Sequence, residues 1–284
     1  MTLPLLQGSL IIMWTCPACT KNLQLDNKTW RCLNGHAFDQ AKEGYVNLQL
    51  AQERKSKAPG DSAEMISARR TFLNANHYSP LVVAITKMAK KHCQLDHIRL
   101  FDAGCGEGYY LNHVCTALEK DGLTIEGLGC DISKPAVQKA AKAYKSRQFS
   151  VASTFKIPLE NNTVNVILQV FAPLSESEVF RILTPSGVWI SVNPASRHLS
   201  HLKALIYKQS LEHKANVKND ERFELLEQQT IQFDMELDSA ESRLALLKMT
   251  PYYWQTSEQA KQNVASELRV CEAHFDIKIW KKAQ

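Results

Sequence analysis

Four side chains near the start of the sequence have the types and spacing of a metal site: Cys16-x2-Cys19-x12-Cys32-x3-His36. Two thiolates on one tight turn, with a thiolate and an imidazole on a second, close a tetrahedron. Soft sulfur and nitrogen donors at this spacing select zinc. Four protein ligands leave no open coordination position, so the expected role is structural. A redox-active or incidental pair is the alternative for Cys16 and Cys19, and Cys32 with His36 in register argues against it. Trp30 and Phe38 flank the ligands; they pack a mini-core or stack on a nucleic-acid base. The chain has eight cysteines, and Cys93, Cys105, Cys115, Cys130 and Cys271 are scattered through apolar or motif contexts. That pattern suits a reducing compartment rather than a disulfide scaffold.

The second constellation is Asp102-Ala103-Gly104-Cys105-Gly106-Glu107-Gly108, which follows a short apolar run and opens a helical one. Alternate glycines let a backbone approach a ligand closely, and a helix N-terminus favours a negative group. The order Asp-x-Gly-x-Gly-x-Gly differs from the dinucleotide fingerprint and resembles the turn of methyltransferases that use S-adenosylmethionine. A turn serving packing or a nicotinamide site is the competing reading. Asp131 ends the next expected strand, where a carboxylate can accept from both hydroxyls of a ribose. Ser153 ends the third, where an adenine would lie. Gln169 to Pro173 end the fourth, where a substrate base would meet the methyl group. His198 follows the fifth strand and is placed to bind cofactor, substrate or phosphate, or is a loop histidine. Tyr78 covers the crevice entrance or packs the first helix.

These residues need elements to carry them. The pattern predicts a helix over residues 80–93 and strands over 98–102, 124–130, 148–152, 164–171 and 187–192. Helices fall between them at 109–119, 135–144 and 176–183, and an alternating tail over 273–280 reads as a closing strand. Strand and helix in alternation indicate an α/β, doubly wound, mostly parallel sheet. The expected division is residues 1–13 as an N-terminal extension, with Met13 an alternative start, then 14–45 as a zinc-binding domain. Residues 46–76 form a connector, with a helix capped by Asp61 or Ser62, and 77–284 the catalytic domain. The 284 residues, 44% apolar and 22% charged, support a packed core. A net charge of +5 permits a nucleic-acid partner without demanding one. No run of 18 apolar residues is present, and the expectation is a cytoplasmic protein without a membrane.

With both motifs in hand, the chain resembles the RlmA family of 23S rRNA (guanine-N1-)-methyltransferases. The segments that carry the resemblance are the Cys/His set with Phe38 to Leu48, Pro59 to Met65, Ala68 to Leu73, Asp102 to Tyr110, and Met249-Thr250-Pro251-Tyr252. It implies a Rossmann-like class I methyltransferase domain, a zinc ribbon-like module that helps recognise an RNA hairpin, and a homodimer. It also implies methyl transfer to N1 of a guanine in 23S ribosomal RNA, with Tyr78, Gly106, Glu107 and His198 touching the cofactor. Phe171 stands where the resemblance places a Tyr before Ala-Pro, so this chain has no aromatic hydroxyl at that position.

The expected cofactor contacts are therefore Tyr78, Asp102, Gly104, Gly106, Glu107, Gly108, Asp131, Ser153 and His198. N1 of guanine carries a proton, and no residue stands out as its acceptor; His198 is the candidate because its ordinary pKa is near neutrality. Arg54, Lys55, Lys57, Arg69 and Arg70 grip phosphates or form a solvated face. Two other functions compete: a methyltransferase of a small metabolite, and a non-catalytic zinc-containing RNA-binding or regulatory protein.

Overall fold

The computed structural model describes residues 14–53, 60–207 and 220–283. The extension to Met13 and the basic residues Arg54, Lys55 and Lys57 lie outside them. A small antiparallel sheet comes first, from β1 (Gln24–Asp26), β2 (Thr29–Arg31) and β3 (Ala37–Asp39). After it, β4 (Val46–Asn47) pairs in parallel with β7 (Gln148–Val151) and so belongs to the large sheet.

That large sheet is built on alternation. After α1 (Ala63–Asn74) and α2 (Ser79–His92) come β5 (His97–Ala103), α3 (Tyr109–Lys120), β6 (Thr124–Asp131), α4 (Lys134–Ala143) and then β7. The chain crosses to the other side of β5 with β8 (Val164–Val170), α5 (Glu176–Ile182) and β9 (Leu183–Pro194). Then α6 (Ser200–Ile206), β10 (Phe223–Glu236), α7 (Ala240–Lys248), α8 (Glu258–Glu267) and β11 (Val270–Lys282) complete the described chain. The strand order is β10-β11-β9-β8-β5-β6-β7-β4. Strands β4 to β9 run parallel, while β11 is antiparallel to both β9 and β10. The order reverses between β5 and β8, which opens a crevice beyond their C-terminal ends.

The expected α/β class and the closing strand are both present. The long strand β10 is not legible in the pattern, because its side chains are mostly exposed and polar on an edge. The segment expected to be a connector differs more. Ser62 Oγ accepts from the Met65 amide at 3.2 Å and starts α1, whose Ala68, Phe72 and Leu73 are buried in the main core. The segment is part of the large domain, because its apolar face has nowhere else to go.

Two cores lie on opposite faces of the sheet. One gathers α1, α2, α3, α4 and α7. The other joins Trp14, Leu23 and Trp30 of the small module to Phe101, Leu128, Ile157 and Leu159 of the large domain. The Thr15 amide donates to the Pro158 carbonyl at 2.8 Å and fastens the junction. Trp30 is 2% exposed, which removes it as a stacking surface for a base.

Gly104 (φ +79°) joins β5 to the crevice, and a Cβ there would lie 2.4 Å from the Ala172 Cβ. Gly104→Ala is expected to destabilise the protein by about 2–4 kcal/mol through backbone strain and overpacking. Adding Ala172→Gly should restore part of the loss, as read by the urea midpoint of unfolding.

Candidate functional site

The crevice encloses about 660 Å³ and is walled by the β5–α3 turn, the ends of β6, β7 and β8, α1, and residues 249–252. Gly104 and Cys105 amides both donate to the Cys130 carbonyl at 2.9 Å, which ties the turn to the end of β6. Gly106 (φ +53°) opens toward the cavity; a Cβ there would meet only the Arg69 guanidinium, at 3.7 Å. It would occupy space that a ligand needs.

Three carboxylates surround this turn. Asp131 accepts from the Gly106 amide at 2.9 Å and the Ser133 amide at 2.8 Å, one on each oxygen. Each oxygen keeps a lone pair for a hydroxyl. Glu107 is buried; its Oε2 accepts from Arg70 Nη1 at 2.9 Å, and its Oε1 has no partner. Burial pushes the Glu107 carboxyl up to about 7 against the opposing pull of Arg70 and Arg69. Asp102 is raised to about 7 by burial and then by the charge of Asp131, and both its oxygens lack partners.

Tyr78, Gly104, Gly106, Glu107, Asp131, Ser153 and His198 line the cavity. Asp102 and Gly108 do not line it. Asp102 is 1% exposed, at the end of β5 behind the turn. Gly108 caps α3, and a Cβ there would press on Phe149, Tyr144 and Ala140 at 3.0–3.1 Å. Its task is close packing of α3 and α4.

His198 lies in the cavity wall. Its Nδ1 accepts from the His274 amide at 3.3 Å, so the neutral ring carries its proton on Nε2. That nitrogen faces the Tyr78 hydroxyl at 3.5 Å. Burial, with Lys203 and His274 adding, lowers the ring to about 3. His198 is a neutral donor at the cavity wall.

Arg69 and Arg70 are each engaged by a carboxylate. Arg69 pairs with Asp61 at 2.6 Å and Arg70 with Glu107 at 2.9 Å. Sequence reasoning missed that Met65, Arg69 and Leu73 of α1 form one wall. Their spacing of four residues, which places them on one helical face, was the available signal.

At the small module, Cys16, Cys19, Cys32 and His36 bring their ligand atoms within 4.8 Å of one another. The Cys19–Cys32 sulfurs are 3.6 Å apart, and His36 Nδ1 lies 3.5 Å from Cys16 Sγ and 3.4 Å from Cys32 Sγ. Tetrahedral zinc, with Zn–S of about 2.3 Å and Zn–N of about 2.0–2.1 Å, sets sulfur–sulfur edges of about 3.8 Å and sulfur–nitrogen edges of about 3.5 Å. The donor set therefore fits zinc. Two turns hold it: Thr20 N–H to Cys16 O at 2.8 Å, and Gly35 N–H to Cys32 O at 3.0 Å.

Residues 14–57 match the family model described as "RlmA, N-terminal", and residues 94–264 match one described as "Methyltransferase domain". The chain belongs to the RlmA methyltransferase family. A 23S rRNA (guanine(748)-N(1))-methyltransferase of Streptomyces fradiae is 36% identical over 189 residues, 66% of this chain and 65% of that protein. A Micromonospora griseorubida protein, named for guanine-N(1) methylation of 23S rRNA, is 37% identical over 208 residues, 66% of this chain and 67% of its own. YxjB of Bacillus subtilis (strain 168), named likewise, is 29% identical over 288 residues, 94% of this chain and 95% of its own. The chain thus spans just under two thirds of the Streptomyces relative's length. No helix of the described residues is long and apolar enough to cross a membrane.

In this RlmA-type module Cys19→Ser is expected to lower bound zinc from about one per chain to a small fraction. Metal analysis of purified protein checks this, and faster proteolysis of the first 45 or so residues should accompany it.

Proposed function

We propose that this chain transfers a methyl group from S-adenosylmethionine to N1 of a guanine in a hairpin of 23S ribosomal RNA, acting as a homodimer in the cytoplasm. In this reading residues 14–45 are the zinc-binding domain and the remainder from 46 onward serves catalysis. The observation that carries the reading is the convergence at one crevice of Gly106, Asp131 and the unpartnered Glu107 oxygen. The names of the relatives supply the substrate.

When bound, S-adenosylmethionine supplies an electrophilic methyl group on a sulfonium, and its transfer to N1 leaves a thioether and releases the N1 proton. Asp131 is held by two amides so that its remaining lone pairs face the ribose hydroxyls. Glu107 offers its free oxygen to the cofactor's ammonium, with Arg70 fixing the other. Gly106 lines the cavity between Asp131 and Glu107, Ser153 stands on the side where the adenine would lie, and Tyr78 with His198 forms another part of the wall. Holding the base at near-attack distance is the main task left to the protein. His198 presents an N–H to the cavity and so does not accept the N1 proton, which goes to water.

Two measurements test the reading. Unmodified 23S rRNA with labelled S-adenosylmethionine should take up methyl groups and give a reverse-transcription stop at one hairpin guanine, because an N1 methyl blocks pairing. Uptake by small metabolites alone would refute it. Second, Glu107 ionises as pH rises through about 7, so cofactor affinity should fall as pH is lowered from about 8 to about 6. Glu107→Gln should bind more weakly at the upper pH and lose most of that slope in a calorimetric titration.

A further inference from the structure

Phe171 sits directly after β8 with φ +56°, the only aromatic residue with positive φ among the described residues. A bulky side chain in the left-handed region is strained, and such strain persists only where the surroundings hold it. Here they do. The Phe171 amide donates to the Val192 carbonyl at 3.1 Å, and Gln169 Nε2 donates to the Ala172 carbonyl at 2.7 Å. Gln169 is fixed in turn by Trp189 Nε1 at 3.1 Å.

The ring sits among other aromatics. It lies near-parallel to His198, with centroids 6.3 Å apart and planes at 28°, and 5.3 Å from Phe275 at 33°. Tyr110 meets it edge-on at 6.3 Å. Yet the side chain stays 39% exposed and lines the cavity. The next residue, Ala172, touches the glycine turn at Gly104. A rigid, partly open aromatic thus stands one residue from the cofactor turn, at the end of the strand beside the crevice.

We propose that Phe171 is the platform on which the target guanine stacks, its strained backbone fixing the ring plane beside the cofactor site. The inference rests on the reading of the chain as a guanine methyltransferase. A base unstacked from RNA needs a replacement for its lost neighbours, and an aromatic side chain supplies one. A purine lying flat on a fixed ring has its N1 edge constrained to one plane, which is the alignment that transfer requires. The hydroxyl of a tyrosine is not needed for this role.

The test uses the full chain and an rRNA fragment bearing the guanine mapped by reverse transcription. Phe171→Leu should lower kcat/KM for RNA by about 10- to 100-fold. Phe171→Gly, which accepts φ +56° without strain, should do the same with its backbone intact. Phe171→Tyr should stay within about 3-fold of wild type, and S-adenosylmethionine affinity should be unchanged in all three. With 2-aminopurine in place of the guanine, binding should quench fluorescence in wild type and Phe171→Tyr but not in Phe171→Leu. Wild-type turnover or quenching in Phe171→Leu overturns the platform. A wild-type chain that methylates no rRNA guanine instead overturns the underlying function, and this inference with it.

Discussion

Between Ala103 and Tyr109 the chain turns from the central strand into a helix while touching the strand ends on both sides. On one side the Gly104 and Cys105 amides share the Cys130 carbonyl; on the other, Gly104 lies against the Ala172 Cβ. No L side chain fits at Gly104, and a Cβ at Gly106 would enter the cavity. The same demand spreads outward. Gly129 is required because a Cβ would come within 2.9 Å of Cys105, and Gly108 because α3 packs tightly on Phe149 and Ala140. The crevice exists because these backbones approach without side chains between them.

The second constraint is charge. Burying carboxylates raises their pKa unless partners compensate. Two amides on Asp131 and Arg70 on one Glu107 oxygen offset burial only in part, and the carboxyls of Asp131, Glu107 and Asp102 all stay raised. A site left this way is poised for groups that donate hydrogen bonds or carry positive charge, which is what a ribose and an ammonium offer. Arg69 and Arg70 come from α1, so the helix that follows the zinc module also sets the electrostatics of the cavity.

The zinc module is joined to the sheet rather than hung from it. Trp14 and Trp30 share a core with Phe101 and Leu128, and β4 extends the sheet beside β7. A unit of this size lacks the surface to stabilise itself, and it has two remedies: four metal ligands, and a face buried on the larger domain.

Local spacing fixed what depends on neighbouring residues. The Cys/His set, the Asp-x-Gly-x-Gly-x-Gly turn, Asp131 at a strand end and the alternation of strand and helix were all legible, because each is a matter of residue type at short separation. Tertiary structure decided which of those residues face the cavity. Asp102 and Gly108 belong to the motif yet do not line the cavity, because a turn has an inner and an outer side. His198 became a donor through an amide 76 residues away, at His274. Arg69 became a cavity-wall residue and Arg70 the partner of Glu107, and strand β10 became visible only by pairing with β11. In each case the outcome depends on contacts between segments far apart in the chain, which spacing along one segment does not encode.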